Sequence, residues 1–217
     1  PLIPKSIRTM ARKILGYKDA KRYQQILDEI ERCAPETIME IGTWNGVRAT
    51  EMIQAAQRAL PGSTISYFGF DLFEDLSAEV IANDSVREHS KLPPTLDTVR
   101  HKLEVTGATI QLVKGNTVEV LPTVIDTLPT MDFVYIDGGH SLPTIESDWN
   151  NVRKRMDHDT VVVFDDYWVN RTDGGAKPLV DSLNPSEFEV TLLPIIDRMP
   201  SAFGPLDIQL AKVTSRQ

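Results

Sequence analysis

The sequence predicts an α/β fold, a parallel sheet covered by helices on both faces and closed by an antiparallel C-terminal hairpin. Three observations carry this reading. Short apolar runs suited to strands buried on both faces, such as Ile38-Met39-x-Ile41, Ile65 to Phe70, Met131 to Ile136 and Val161 to Phe164, alternate with segments of helical period. The first run enters a tight glycine turn and then a helix. The final two runs, Phe188 to Ile196 and Ile208 to Val213, have no helix between them, only a loop holding Pro200, Gly204 and Pro205.

Bulk properties limit the function classes. A chain of 217 residues, 41% hydrophobic and 25% charged, fits one compact domain with a sizeable core, or one domain and a small lid. A net charge of -8 opposes a nucleic-acid partner, and the basic cluster Arg153, Lys154, Arg155 is short and falls on a helix surface. Small-molecule chemistry is favoured. The single cysteine, Cys33, allows neither an intramolecular disulfide nor a cysteine-based zinc cluster. No stretch approaches the roughly 20 apolar residues of a membrane span, and no signal-peptide core is present, so no membrane partner and a cytoplasmic location are expected. The expected layout is an N-terminal helical cap over 1–34 and a main domain over 35–217, with 72–94 inserted as a lid.

Taken in order, Ile7 to Leu15 with Lys5, Arg8, Arg12 and Lys13 reads as a short amphipathic helix. It lies over the mouth of a site, against another subunit, or simply packed with a solvated face, which leaves a homodimer open. Ala20 to Cys33 is a second helix with Tyr23, Ile26, Leu27 and Ile30 on one side, ended by Pro35. Strand one follows from Thr37, Gly42 and Gly46 bracket the turn, and Val47, Met52, Ile53, Ala56 and Leu60 form the apolar face of the next helix. Pro61-Gly62 breaks the chain before strand two, which ends at Asp71. An acid there is either a turn or cap residue, or the acceptor of two ribose hydroxyls.

Leu72 to Pro94 is polar and acidic, with Glu74, Asp75, Glu79 and Asp84, and is the expected seat of substrate selection. Helix Thr95 to Thr106 closes at Gly107, and strand Thr109 to Val113 leads into Lys114-Gly115-Asn116-Thr117. Val118 to Leu128 is a helix distorted by Pro122. Ser141 to Met156 is scaffold, its Ile145, Trp149, Val152 and Met156 repeating at helical spacing, and Lys177 to Leu183 is the last helix.

The first turn reads Glu40-x-Gly42-x-x-x-Gly46 rather than Gly-x-Gly-x-x-Gly. A carboxylate beside the turn repels a pyrophosphate and accepts a ligand carrying an ammonium group. The motif resembles motif I of the class I S-adenosylmethionine (SAM) dependent methyltransferases, whose Rossmann-like sheet ends in a reversed seventh strand as the hairpin here does. The resemblance implies a SAM site built from Glu40, Gly42, Thr43, Trp44, Gly46, Asp71, Leu72, Asn116, Thr117 and Asp137, with the Asn116 turn at the adenine. The plainer alternative is a strand-turn-helix whose glycines only shape the bend.

A second constellation lies at Val134-Tyr135-Ile136-Asp137-Gly138-Gly139-His140 and Val161-Val162-Val163-Phe164-Asp165-Asp166-Tyr167-Trp168. Neighbouring strands lie about 4.8 Å apart, so Asp137 and at least one of Asp165 and Asp166 can close on one hard cation at ~2.0 to 2.6 Å. Three carboxylates at one sheet edge repel unless a cation, a proton or solvent relieves them. These residues resemble the metal-dependent O-methyltransferases, the catechol type and, more closely, the bacterial macrolide- and aminocoumarin-sugar enzymes, over roughly Glu36 to Val213. That resemblance implies Mg²⁺ held by Asp137, Asp165 and Asp166. The Asp-Asp pair follows the sugar-modifying pattern where the catechol type has Asp-Asn.

In some sugar enzymes a second acid, two residues past the first ligand, is the base; here that position is Gly139, which leaves His140. His140 either takes the acceptor's proton, caps the following helix, or supports the site from behind. Tyr167 and Trp168 either wall the acceptor or pack. His89, His101 and His158 read as solvated. The expectation is O-methyl transfer to a hydroxyl of a small molecule or sugar. Three other readings stay open: a metal-independent N- or carboxyl-methyltransferase, an NAD-dependent oxidoreductase, and a non-catalytic SAM-binding subunit.

Overall fold

The computed structural model describes residues 21–76, 93–199 and 204–216. The expected helix over 7–15, most of the expected lid, and His89 lie outside the described residues. Among the described residues eight strands form one sheet: β1 (Thr37–Ile41), β2 (Ser66–Asp71), β3 (Thr109–Lys114), β4 (Phe133–Ile136), β5 (Val161–Trp168), β6 (Phe188–Leu192), β7 (Asp197–Met199) and β8 (Leu206–Ser215). Their order is β3-β2-β1-β4-β5-β8-β6, with β7 paired to β8 off that path. β1 to β5 are parallel, and β8 runs antiparallel to β5, β6 and β7. The C-terminal antiparallel unit therefore has three strands, β6, β7 and β8, where two runs were expected.

The helices are α1 (Tyr23–Cys33), α2 (Val47–Ala59), α3 (Leu96–Glu104), α4 (Thr117–Val124), α5 (Leu142–Val152) and α6 (Lys177–Ser182). Local chemistry sets their ends. Thr95 accepts from the Thr98 amide to start α3, and Asn116 accepts from the Val118 amide to start α4. Left-handed Ala34 closes α1 before Pro35, its amide donating to the Ile30 carbonyl. Pro122 sits inside α4, which passes into a 3₁₀ turn over Ile125–Thr127.

Alternation along each strand divides the core into two layers. Ile38, Tyr67, Phe133, Tyr135, Val161 and Val163 pack with residues of α1, α2 and α3. Met39, Ile41, Val134, Ile136, Val162 and Phe164 pack with residues of α4, α5 and α6, where Trp149 takes the core position its spacing predicted. Val47, by contrast, is exposed, and the buried face of α2 is Ala49, Met52, Ile53, Ala55 and Ala56. Ile26 and Ile30 of α1 are fully buried in the first layer, so this helix belongs to the core of the domain. Among the described residues no helix is long and apolar enough to cross a membrane.

Candidate active site

Strand order reverses between β1 and β4, and open α/β sheets bind their ligands outside such a point at the carboxyl ends of the strands. Both predicted constellations stand there. Asp71 ends β2 and reaches sideways: its Oδ2 accepts from the Trp44 amide at 2.6 Å and its Oδ1 from the Phe73 amide at 2.7 Å. The β1 turn and the β2 tip are thereby one cradle. Gly42 and Gly46 both have positive φ, +94° and +68°. The close approach that requires glycine at 42 comes from the protein itself, since a Cβ there would lie 1.9 Å from the Asp137 carbonyl oxygen.

Glu40 is buried beneath the cradle. The Tyr67 hydroxyl donates to its carboxylate, and the Thr43 hydroxyl lies 3.2 Å from Tyr67 Oη. Burial pushes the Glu40 carboxyl up to about 8, with the Tyr67 hydrogen bond and the charge of Arg48 pulling the other way. Leu72 precedes a 3₁₀ turn over Phe73–Asp75, and Lys114 pairs with Glu74 and Asp75 beside it. The Asn116 side chain caps α4 and Thr117 opens that helix at the end of β3.

The second constellation assembles differently from the expected set. β4 and β5 are parallel neighbours, and β5 continues through the acid pair to Trp168 with a register break between Phe164 and Tyr167. Asp165 turns towards α1. Its carboxylate takes a two-pronged contact from Arg22, Nε to Oδ1 at 2.8 Å and Nη2 to Oδ2 at 3.0 Å, and Oδ2 also accepts from Tyr135 Oη at 2.8 Å. Arg22 is 1% exposed. Burial opposes its charge, yet Asp165 beside it outweighs that and holds the guanidinium above its ordinary value.

Asp166, at a positive φ of 53°, turns towards the start of α5 instead. Its Oδ2 lies 2.6 Å from His140 Nε2, and its Oδ1 accepts from the Trp168 indole N–H at 3.2 Å. Backbone bonds fix both partners: the Gly175 amide donates to the His140 carbonyl and the Ala176 amide to the Asp166 carbonyl, each at 2.9 Å. A small cavity between the strand tips is lined by Asp137, His140, Asp165 and Asp166 over a floor of Ile136, Ile145 and Phe164.

Asp165, Tyr167, Trp168 and His140 are each engaged within the protein. Asp165, expected as a metal ligand with Asp137 and Asp166, is engaged by Arg22 because successive strand residues point to opposite sides of a sheet. Among the described residues, the group whose ligand atoms lie within 4.8 Å of one another is Asp137, His140 and Asp166. Tyr167 and Trp168, weighed as acceptor walls, are 5% and 0% exposed. Tyr167 bonds Asp181 and Lys177, and Trp168 backs Asp166. Nor does His140 cap α5, since Ser141 accepts from the Thr144 amide there. Arg22, Tyr135 and Tyr67 were missed. Only Tyr135 carried a signal, standing two residues before Asp137.

A family model described as a methyltransferase domain matches residues 39–167. The chain belongs to this methyltransferase family. Its fold is also that of solved methyltransferases at low identity. The O-methyltransferase TomG from Streptomyces achromogenes, in complex with SAM, is 16% identical with a TM-score of 0.57, the match covering 98% of this chain and 91% of that one. An O-methyltransferase from Bacillus cereus, in complex with SAH, is 15% identical with a TM-score of 0.58, over 98% and 93% of the two chains. No curated protein sequence matches. In this methyltransferase the two constellations thus fall at the switch point of a class I methyltransferase sheet.

Proposed function

We propose that the chain transfers the methyl group of SAM to a hydroxyl of a small molecule, a sugar being one such acceptor. The observation that carries the reading is His140 beside Asp166 at the β4 and β5 tips, next to the Asp71 and Gly42 cradle. The names of TomG and the Bacillus cereus protein, and the SAM and SAH in their complexes, support the same choice. SAM supplies a methyl already activated on sulfur, so the protein's work is alignment and proton removal. Asp71 fits a ribose as the carboxylate that ends β2 and is tied to the glycine turn through the Trp44 amide. Asp166 faces His140 Nε2, and Nδ1, buried without a protein partner, is the nitrogen that takes the acceptor's proton.

One observation favours a second reading in which a divalent cation is used. Asp137, His140 and Asp166 each bring a ligand atom within 4.8 Å of the others and would hold it. The cation would lower the pKa of the acceptor hydroxyl, with His140 a ligand and not the base. Mg²⁺ would then have Asp137 and Asp166 as its carboxylate ligands, without Asp165.

Calorimetric titration with SAM, followed by methyl transfer to a panel of hydroxylated acceptors, tests the proposal. Absence of saturable SAM binding rejects it. Turnover that survives exhaustive chelation supports His140 as base, and turnover lost on chelation and restored by Mg²⁺ supports the second reading.

A further inference from the structure

We infer that Arg22 is a tethered cation that takes Asp165 out of metal coordination, so that the tip of β5 offers an added divalent ion one carboxylate and not two. Three features of the molecule carry this. The guanidinium meets Asp165 through two nitrogens at 2.8 and 3.0 Å, the fork geometry that matches a carboxylate best. The pair is sealed, with side-chain exposures of 1% and 0%. Arg22 is itself held from the far side, its amide donating to Asp197 Oδ2 at 3.0 Å and its Nη2 to the Tyr23 hydroxyl at 3.1 Å.

The remaining acceptor capacity of Asp165 is also spent. Tyr135 Oη lies 2.8 Å from its Oδ2, and the Asp166 amide donates to Oδ1 at 2.7 Å. A cation reaching Asp165 would have to displace a guanidinium that cannot deprotonate and that half-buried Asp197 also holds at 3.4 Å. The charge that three clustered carboxylates would otherwise ask of a metal is met in part by the protein. Tyr135, within hydrogen-bond distance of both Asp165 and Asp137, ties that neutralised acid to Asp137.

Mn²⁺ binding followed by electron paramagnetic resonance tests the inference on the intact chain. Asp165→Asn should leave any Mn²⁺ affinity of the parent within about twofold, whereas Arg22→Met should raise it at least tenfold. Arg22→Met combined with Asp165→Asn should return it to the parent's level. A second measurement needs no variant: the protected Arg22 Nε–H resonance should persist on saturation with Mg²⁺. Loss of that resonance on adding Mg²⁺, a tenfold drop in Mn²⁺ affinity in Asp165→Asn, or a folded Arg22→Met that binds no more tightly than the parent would each overturn the inference. These readouts do not involve turnover, so they fail separately from the proposed O-methyl transfer.

Discussion

Asp165 and Asp166 are adjacent in the chain, yet one carboxylate is bound by Arg22 just before α1 and the other faces His140 just before α5. Strand alternation separates them, and the register break after Phe164 with the left-handed backbone of Asp166 completes the turn. A non-glycine residue held in that region costs on the order of 1 to 3 kcal/mol and persists where its surroundings over-determine it. The surroundings here are the Ala176 amide on the Asp166 carbonyl and the Trp168 indole on its carboxylate. The acid pair is one motif in sequence and two devices in space.

If Asp166 and His140 work as a unit, removing either should slow methyl transfer without weakening SAM binding. His140→Ala is expected to lower kcat by roughly 10²- to 10⁴-fold, the usual worth of a positioned base. Asp166→Asn should fall in the same range. Steady-state kinetics beside calorimetric SAM titration check this, and a SAM affinity reduced in step with kcat would place His140 in cofactor binding instead.

Asp71 joins the cradle to the ligand in the proposed complex. Asp71→Ala removes hydrogen bonds to a charged acceptor, worth about 1.5 to 3 kcal/mol each, and frees the Trp44 amide that Oδ2 now holds. SAM and SAH affinity should drop by about 10- to 100-fold. Calorimetry reads it directly; an unchanged Kd for both ligands would remove Asp71 from the site.

The fold was legible because buried parallel strands leave a strong local imprint. Ile38, Met39 and Ile41, or Val161 to Phe164, are apolar on both faces because helices cover both. The tip of β5 was less legible. Two acids in a row argue against a strand, so the run is expected to stop at Phe164, whereas the antiparallel partner β8 carries the pairing on through Trp168. The contact between Arg22 and Asp165 spans 143 positions of chain and depends on where α1 docks, which no short-range pattern encodes. Asp71 and His140 are placed by short-range pattern alone, Asp71 as the last residue of β2 and His140 in the loop that follows β4.

Gly175 is the position where packing behind the site should be least tolerant. It has a φ of +70°, and an added Cβ would lie 2.4 Å from the Asp166 carbonyl oxygen and 2.7 Å from the Trp168 ring. Gly175→Ala should therefore destabilise by several kcal/mol, and a loss of about 1 kcal/mol lowers Tm by roughly 2 to 4 °C in a domain this size. Trp168→Phe keeps one aromatic ring but removes the N–H donated to Asp166 and leaves a cavity at a fully buried position, so it should cost about 2 to 4 kcal/mol. Thermal unfolding of the two variants checks this, and a Tm equal to the parent's in either would contradict the contacts described.

Glu40 gives the protein a pH dependence whose sign follows from its burial. The folded protein keeps the Glu40 proton up to about 8, whereas the unfolded chain releases it near the ordinary 4.5. Between those values the folded state binds more protons than the unfolded one, so stability falls as pH rises. The contribution is fully present below pH 4.5 and is lost as pH passes through about 8. The limiting slope for one such group is about 1.4 kcal/mol per pH unit. Glu40→Gln preserves the size of the side chain and has nothing to titrate, so its unfolding free energy should lack this slope. Urea denaturation of parent and variant at several pH values across the window isolates the effect, because every other titrating group cancels in the difference. The parent should lose ground to the variant steadily from acid to alkaline pH; two parallel curves would mean that Glu40 is already ionised in the folded protein, with the Tyr67 hydroxyl and Arg48 compensating its burial in full.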